Sequence, residues 1–390
     1  MQKRNYMRLM VSIALMLTVV LVSIEGLACT GIQIKTEDGH FIFARTLEFS
    51  AEQMPFNLIV VPRNHPYRAR TPSGKPGMAW KTKYAYVGFN PFGAPLVADG
   101  LNERGLACGS FLFPGCAKFE ALTGDKQSHA ISSFDLTSWI LSTCASVSEV
   151  RQKLPKIVVF AIKMPELGPV MDLHYFVADE TGDAAVIEYT GGKLNIYDNE
   201  VNAITNCPVY HWHLSNQRNY IGLKAFNQPT VTIGNKTFGQ FGQGSGAIGL
   251  PGDFTPPSRF VRAAFLANVA YEGKNAAEGI GIAFHILNQF DIPKGSVREN
   301  HSGQVISEST QWTSASDLKS RRYYFHTYHD RSVKMIDLNE LDLNAQSIKG
   351  IRNIQKPGQV INLSSEINNT VFKAISIEQI LQLQKQKTAP

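Results

Sequence analysis

Alternation of apolar and polar positions begins directly after Cys29. Ile32 and Ile34 share one face of a short strand, and Asp38-Gly39 is a strong turn dipeptide. Phe41, Phe43 and Arg45 then share one face of the returning strand. The pattern predicts a β-hairpin that carries Arg45 back towards Cys29. Further strands are predicted at 57–62, 84–89 and 106–113. Ser146 and Glu149 make a capping box at the head of a short helix. Residues 174–177 and 185–189 pair around Asp179-Glu180-Thr181-Gly182, and 193–197 continues the meander across Gly191-Gly192. Residues 258–271 and 276–287 carry apolar stripes at helical spacing, and 322–328 and 333–338 read as late strands. Strand blocks, a helix pair and more strands indicate an α+β fold with layered sheets. No linker-like break interrupts the chain before about residue 345. Residues 346–390 turn polar and form an expected extension, with Gln355-Lys356-Pro357-Gly358, an amphipathic stretch at 375–383 and a polar tail from 384.

The first residues follow a different pattern. Lys3, Arg4 and Arg8 precede an almost wholly apolar run, 9–24, and Gly26 and Ala28 are small. This is the form of a secretory signal cut after Ala28. The run is shorter than the roughly 20 residues that span a bilayer, so stable membrane insertion is not expected. The expected protein is exported, periplasmic or secreted, and begins at Cys29. Such a residue carries a thiol and a free α-amine together, a nucleophile with its own base. An α-amine titrates near ~8 and so accepts a proton at neutral pH. Two other readings stay open: a lipidated Cys29 with a blocked amine, which would make a binding protein, and a Cys29 that is merely a small buried strand residue.

Composition narrows the classes. With 390 residues and 44% hydrophobic positions the chain can bury a large core. Its net charge of +6 is spread over interspersed acids and bases, without the basic stripe that nucleic-acid binding needs. Gly244-Ser245-Gly246-Ala247-Ile248-Gly249 fits G-x-G-x-x-G, but Pro251-Gly252 follows where a helix should open, so the segment reads as a glycine-rich loop. His211 and His213 would share a face in a strand, and His326 and His329 lie close in sequence. Neither pair has a metal-site spacing around it, and no metal or cofactor is expected. Export permits a disulfide among the five cysteines, with Cys108 and Cys116 the expected pair.

Several blocks resemble the choloylglycine hydrolase family, which holds the bile salt hydrolases and penicillin V acylases. They are Cys29-Thr30-Gly31 with Arg45-Thr46-Leu47-Glu48, Ala98-Asp99-Gly100-Leu101-Asn102-Glu103, Thr205-Asn206-Cys207-Pro208, and Gly249-Leu250-Pro251-Gly252-Asp253-Phe254-Thr255-Pro256-Pro257-Ser258-Arg259-Phe260. They stand in the family's order from Cys29 to about Leu338. The resemblance implies an αββα four-layer fold of the N-terminal-nucleophile hydrolases, often a homotetramer, without cofactor. It implies Cys29 as nucleophile and Arg45 as the arginine beside it, a charge that favours thiolate. It further implies Asn206 as an oxyanion-hole donor and Arg259 as a second active-site arginine.

Two positions depart from the family pattern. Glu48 stands where Asp is usual, and the carboxylate's expected job is to hold the α-amine of Cys29. Leu112 stands where bile salt hydrolases carry Asn and penicillin V acylases Tyr; its backbone N–H remains available to an oxyanion. The implied chemistry is hydrolysis of an amide with an apolar acyl group, first among them conjugated bile acids. Penicillin V and N-acyl homoserine lactones are the alternatives. Met54, Phe56, Phe89, Phe92, Met164 and Met171 are the expected acyl-pocket residues, with about half of them touching substrate.

Overall fold

The computed structural model describes residues 28–49, 55–72, 74–91, 93, 96–162, 171–301, 303–369 and 376–377. Met54, Phe92, Met164 and the segment 1–27 lie outside the described residues. The first hairpin forms as the alternation requires. Strands β1 (Cys29–Lys35) and β2 (Phe41–Phe49) pair with Cys29 opposite Leu47 and Gly31 opposite Arg45. The turn between them uses Gly39 at φ +79°, a conformation that favours glycine.

This hairpin lies inside a seven-stranded sheet. Its order is β10 (Ala203–Ile204), β1, β2, β12 (Gln304–Asp317), β13 (Arg322–Thr327) and β14 (Lys334–Asp337), with β11 (Val297–His301) also on β12. An eight-stranded antiparallel sheet packs behind it. It runs β9 (Lys193–Asp198), β8 (Ala184–Thr190), β7 (Leu173–Ala178), β6 (Ala107–Leu112), β5 (Asp99–Asn102), β4 (Tyr86–Pro91), β3 (Phe56–Val61) and β15 (Lys349–Ile351). Aromatic rings fill the space between the sheets, as where Phe43 meets Phe176 at 5.0 Å and Trp312 meets Phe89 at 4.5 Å.

Helices cover the two outer faces. On the back sheet, α1 (Asp135–Thr143) packs on β5 and β6, and α2 (Val147–Lys153) follows it in the chain. A short α3 (Tyr210–Gln217) leads towards α4 (Pro256–Val269) and α5 (Ala276–Leu287), which cover the front sheet over β1, β2, β10 and β12. The layers are therefore α, β, β, α, as the resemblance implies. The Ser146 hydroxyl accepts the Glu149 N–H at 3.2 Å, so the α2 cap forms. Helix α4 starts two residues before the expected Ser258 because Pro256 and Pro257 occupy its first turn, where an N–H has no helical partner to lose.

Four expectations are corrected. His211 and His213 lie on α3, not on a strand, so two residues apart they point to different sides. The disulfide joins Cys116 to Cys207, while Cys108 is a free thiol on β6 buried beside Thr137 and Cys144. Phe56 and Phe89 pack with Trp312 between the sheets, fully buried. The expected boundary after residue 345 falls within the folded unit, since β15 at 349–351 adds an edge strand beside β3 and that unit ends at Lys356. The remaining unit, 357–390, contains the helix Ser364–Asn369.

Candidate functional site

Cys29 is 1% exposed at the start of β1. The neighbouring β2 delivers Arg45 and Glu48, the β10–α3 connection delivers Asn206, and the first turn of α4 delivers Arg259. In this full chain the Cys29 nitrogen is a peptide N–H. It donates to Asn206 Oδ1 at 2.9 Å. The Arg259 Nη2 donates to the same oxygen at 2.6 Å. Arg259 Nη1 also donates to the Cys29 carbonyl at 2.5 Å and to Thr30 Oγ1 at 2.9 Å, and its Nε to the Phe254 carbonyl at 2.8 Å. A buried guanidinium satisfied in this way locks the backbone of residue 29.

These bonds fix the orientation of the Asn206 amide. Its oxygen faces two donors, so its Nδ2 points the other way and donates to the Leu112 carbonyl at 2.7 Å. The second Nδ2 hydrogen has no acceptor among the described residues. The carbonyls on either side are pinned as well. His174 Nε2 lies 2.9 Å from the Thr205 oxygen, and His213 Nε2 lies 2.9 Å from the Asn206 oxygen. His213 stacks on Phe260 at 4.4 Å, and burial drives its pKa down to about 4, so at neutral pH it is an uncharged donor to that oxygen. The two histidines expected to be bystanders thus differ: His213 props the site, while His211 rests against Tyr197.

Leu112 supplies a second donor by its place in the ladder. The Phe113 N–H bonds the Asp172 oxygen on the β7 side, and the Ser110 N–H bonds the Ala98 oxygen on the opposite side. Directions alternate along an antiparallel strand, so the Leu112 N–H points with that of Ser110, beyond the start of β5. That edge opens on an apolar cavity of about 60 Å³ lined by Cys29, Leu47, Phe49, Leu112, Met171 and Leu173 among others. Of the six expected acyl-pocket residues, the structure puts Met171 in this lining. Phe49 and Pro91 line it too, from the expected loop segments 49–56 and 89–95, while Phe134 and Leu173 line it without having been anticipated.

Charge in the site is held by two arginines and two carboxylates. Arg45 donates from Nη1 to the Ser110 carbonyl at 2.6 Å and lies over the Phe111 ring at 4.3 Å, leaving a buried Nη2 without an acceptor among the described residues. Burial pushes the Cys29 thiol up from its ordinary range. The Arg45 charge opposes this, in the direction the resemblance implies, and burial outweighs it while residue 28 is still attached. Glu48 does not bond the Cys29 nitrogen. Its carboxylate accepts from Thr310 Oγ1 at 2.8 Å and Thr46 Oγ1 at 3.0 Å. A bulge in β12 between Thr310 and Trp312 creates this register. Burial raises Glu48 to about 7 against the pull of Arg259.

Glu308 is the residue that sequence reading missed. It stands two positions before Thr310, hence on the same face of β12 as the partner of Glu48. It is 6% exposed, accepts a backbone hydrogen bond from Ala28, and is raised to about 8 by burial and then by Glu48. An acid in the middle of a long Ser- and Thr-rich strand was its only signal. Both carboxylates bind their protons more tightly in the fold than in the unfolded chain. The stability they give is complete below about pH 4.5 and is lost as pH rises through about 7 and 8. In a chain that keeps Ala28, the wild type is therefore expected to lose Tm relative to Glu48→Gln between pH 5 and 8. Thermal melts across that range check this; parallel curves would refute it.

Residues 29–351 match the model of the linear amide C–N hydrolases, choloylglycine hydrolase family. A bile salt hydrolase/transferase of Clostridium perfringens is 35% identical over 82% of this chain and 95% of its own length. A penicillin V acylase of Pectobacterium atrosepticum is 24% identical over 77% of this chain and 78% of its own. Among solved structures, a variant of the conjugated bile acid hydrolase of Clostridium perfringens superposes with a TM-score of 0.76 at 32% identity, over 86% of this chain and all of that one. Penicillin V acylase of Agrobacterium tumefaciens gives 0.64 at 25% identity, over 83% and 90%.

Proposed function

Since the chain belongs to the choloylglycine hydrolase family of linear amide C–N hydrolases, we propose that it hydrolyses the amide bond of conjugated bile acids through Cys29. The reading is carried by one juxtaposition: Cys29 borders the apolar cavity while its nitrogen lies on Asn206, itself fixed by Arg259. Removal of residues 1–28 converts that nitrogen to an amine. The amine takes the thiol proton as the sulfur–carbon bond forms, and passes it to the leaving nitrogen as the carbon–nitrogen bond breaks. Water then attacks the thioester, giving the free acid and restoring the thiol. Asn206 Nδ2 and the Leu112 N–H are the donors for the oxyanion. Glu48 and Glu308, near the Cys29 nitrogen, take the role of counter-charge to the ammonium it becomes on taking the thiol proton.

The test is glycine release from glycocholate by the chain beginning at Cys29. Release that requires Cys29 supports the reading, and a folded protein with a free N-terminal cysteine that releases none rejects it. A second reading keeps the chemistry and changes the acyl group, since the cavity beside Cys29 is lined mainly by apolar side chains. Phenoxyacetate release from penicillin V and lactone deacylation, run beside glycocholate, separate the two.

Export with cleavage after Ala28 is part of the proposal, supported by the apolar run of 9–24 and by a disulfide in the fold. The intact mass of the secreted chain tests it, and a lipid-bearing Cys29 would refute it. No helix among the described residues is long and apolar enough to cross a membrane. We further propose a homotetramer. Its support is the segment around the hairpin of Val231–Ile233 and Lys236–Phe238, which exposes Ile221, Phe226, Ile233 and Phe241. Light scattering is expected to give about four chains, and Phe241→Asp to shift the protein to smaller species. A wild-type monomer would overturn this.

A further inference from the structure

The Cys116–Cys207 bridge lies where the two proposed oxyanion donors meet. Cys207 directly follows Asn206, and Cys116 stands four residues beyond Leu112. Leu112 ends a strand of the back sheet, and Asn206 follows an edge strand of the front sheet, so the donors belong to different layers. The direct polar tie between the donor residues is the Asn206 Nδ2 bond to the Leu112 carbonyl. The stretch between Leu112 and Cys116 is stiff. The Phe113 N–H bonds the Asp172 oxygen at 2.8 Å, the Cys116 N–H bonds the Phe113 oxygen at 3.2 Å, and the Gly115 N–H bonds the Asp172 carboxylate at 3.1 Å. On the other side, His174 and His213 hold the carbonyls of Thr205 and Asn206. Two rigid segments are thus joined by one covalent link a single residue from the amide.

We propose that the Cys116–Cys207 bridge is a positioning element of the oxyanion hole, setting the distance between Asn206 Nδ2 and the Leu112 N–H. This rests on the amidase reading above. An oxyanion gains from both donors together only when each lies within about 0.5 Å of its place, and a misplacement of about 1 Å costs roughly 100-fold in rate. Both half-cysteines are part-exposed, and Cys207 borders a cavity of about 570 Å³ also lined by Ala28, Asn206, Arg259 and Glu308. A reductant therefore reaches the bridge, whereas Cys29, Cys108 and Cys144 are buried thiols. Full activity needs two opposite sulfur states at once: a closed bridge and a reduced Cys29.

The experiment compares the mature wild type with a Cys116→Ser/Cys207→Ser double variant, each also in an Asn206→Ala background. The expected result is a kcat lower by about 10- to 100-fold, with KM within about threefold and an unchanged rate of Cys29 alkylation. In the Asn206→Ala background, removing the bridge is expected to cost less than about threefold, because the donor it places is gone. A drop in Tm with kcat intact would make the bridge a mere staple and overturn the proposal; so would losses that multiply in the two backgrounds. Should the double variant fail to fold, phosphine reduction of the wild type under unchanged circular dichroism is expected to lower kcat equally, and an undiminished kcat overturns the proposal. A wild type that cleaves no acyl amide at all rejects the amidase reading itself, and this inference falls with it.

Discussion

Cys29→Ala, in a chain beginning at residue 29, will release no amine from any acyl amide while keeping its fold. The truncation removes one sulfur from a buried strand position whose backbone is held independently by the Cys29–Leu47 register, by Asn206 and by Arg259. The cavity left is small, so a stability change of about 1 kcal/mol is expected. The catalytic loss is of another order. Removing the nucleophile of a unit that acts together costs about 10⁶-fold in comparable hydrolases. Cys29→Ser is expected to fall between the two. A hydroxyl gives up its proton far less readily than a thiol, so the receiving amine has the harder proton to take. Amine release measured with matched protein concentrations, and circular dichroism for the fold, decide the matter. Turnover retained by the alanine variant would end the nucleophile assignment.

What the sequence made legible followed local rules. The Asp38-Gly39 hairpin, the Ser146 cap and the helix Ala276–Leu287 form as their patterns require, because each is set by neighbours within a few residues. Where partners come from distant segments, local reading failed. Cys207 finds Cys116 across 91 residues, not Cys108, whose strand points it into the core. Phe56 and Phe89 were taken for cavity walls because they are large and near the right loops. They share a face with Pro91, which does line it, but their rings are packed against Trp312 between the sheets, and Phe49 and Leu173 line the cavity. Histidines at 211 and 213 carry no strand or helix signature strong enough to tell period 2 from 3.6 in so short a segment. Asn206 could be singled out only through resemblance, since nothing periodic marks it. The structure supplies its physical reason: one side-chain oxygen that two donors compete for, and an amide nitrogen turned towards Leu112 as a result.

That arrangement makes Asn206 the position where stability and catalysis can be pulled apart. Asn206→Ala removes the acceptor of both the Cys29 nitrogen and Arg259 Nη2, leaving a buried guanidinium with one donor unmatched. The expected stability loss is about 1–3 kcal/mol. It also removes an oxyanion donor, for an expected fall in kcat of about 10²–10³. Asn206→Asp should behave differently. A carboxylate keeps the oxygen that faces Arg259, and its charge pairs with that guanidinium, so the fold is expected to be at least as stable as that of the alanine variant. Yet its second oxygen faces the Leu112 carbonyl and the developing oxyanion, with no hydrogen to offer either. The aspartate variant is therefore expected to be the more stable and the less active of the two, while a purely structural Asn206 would give it the higher activity. Melting temperatures and kcat for the pair separate these outcomes, and an aspartate variant that outperforms alanine in kcat would remove Asn206 from the oxyanion hole.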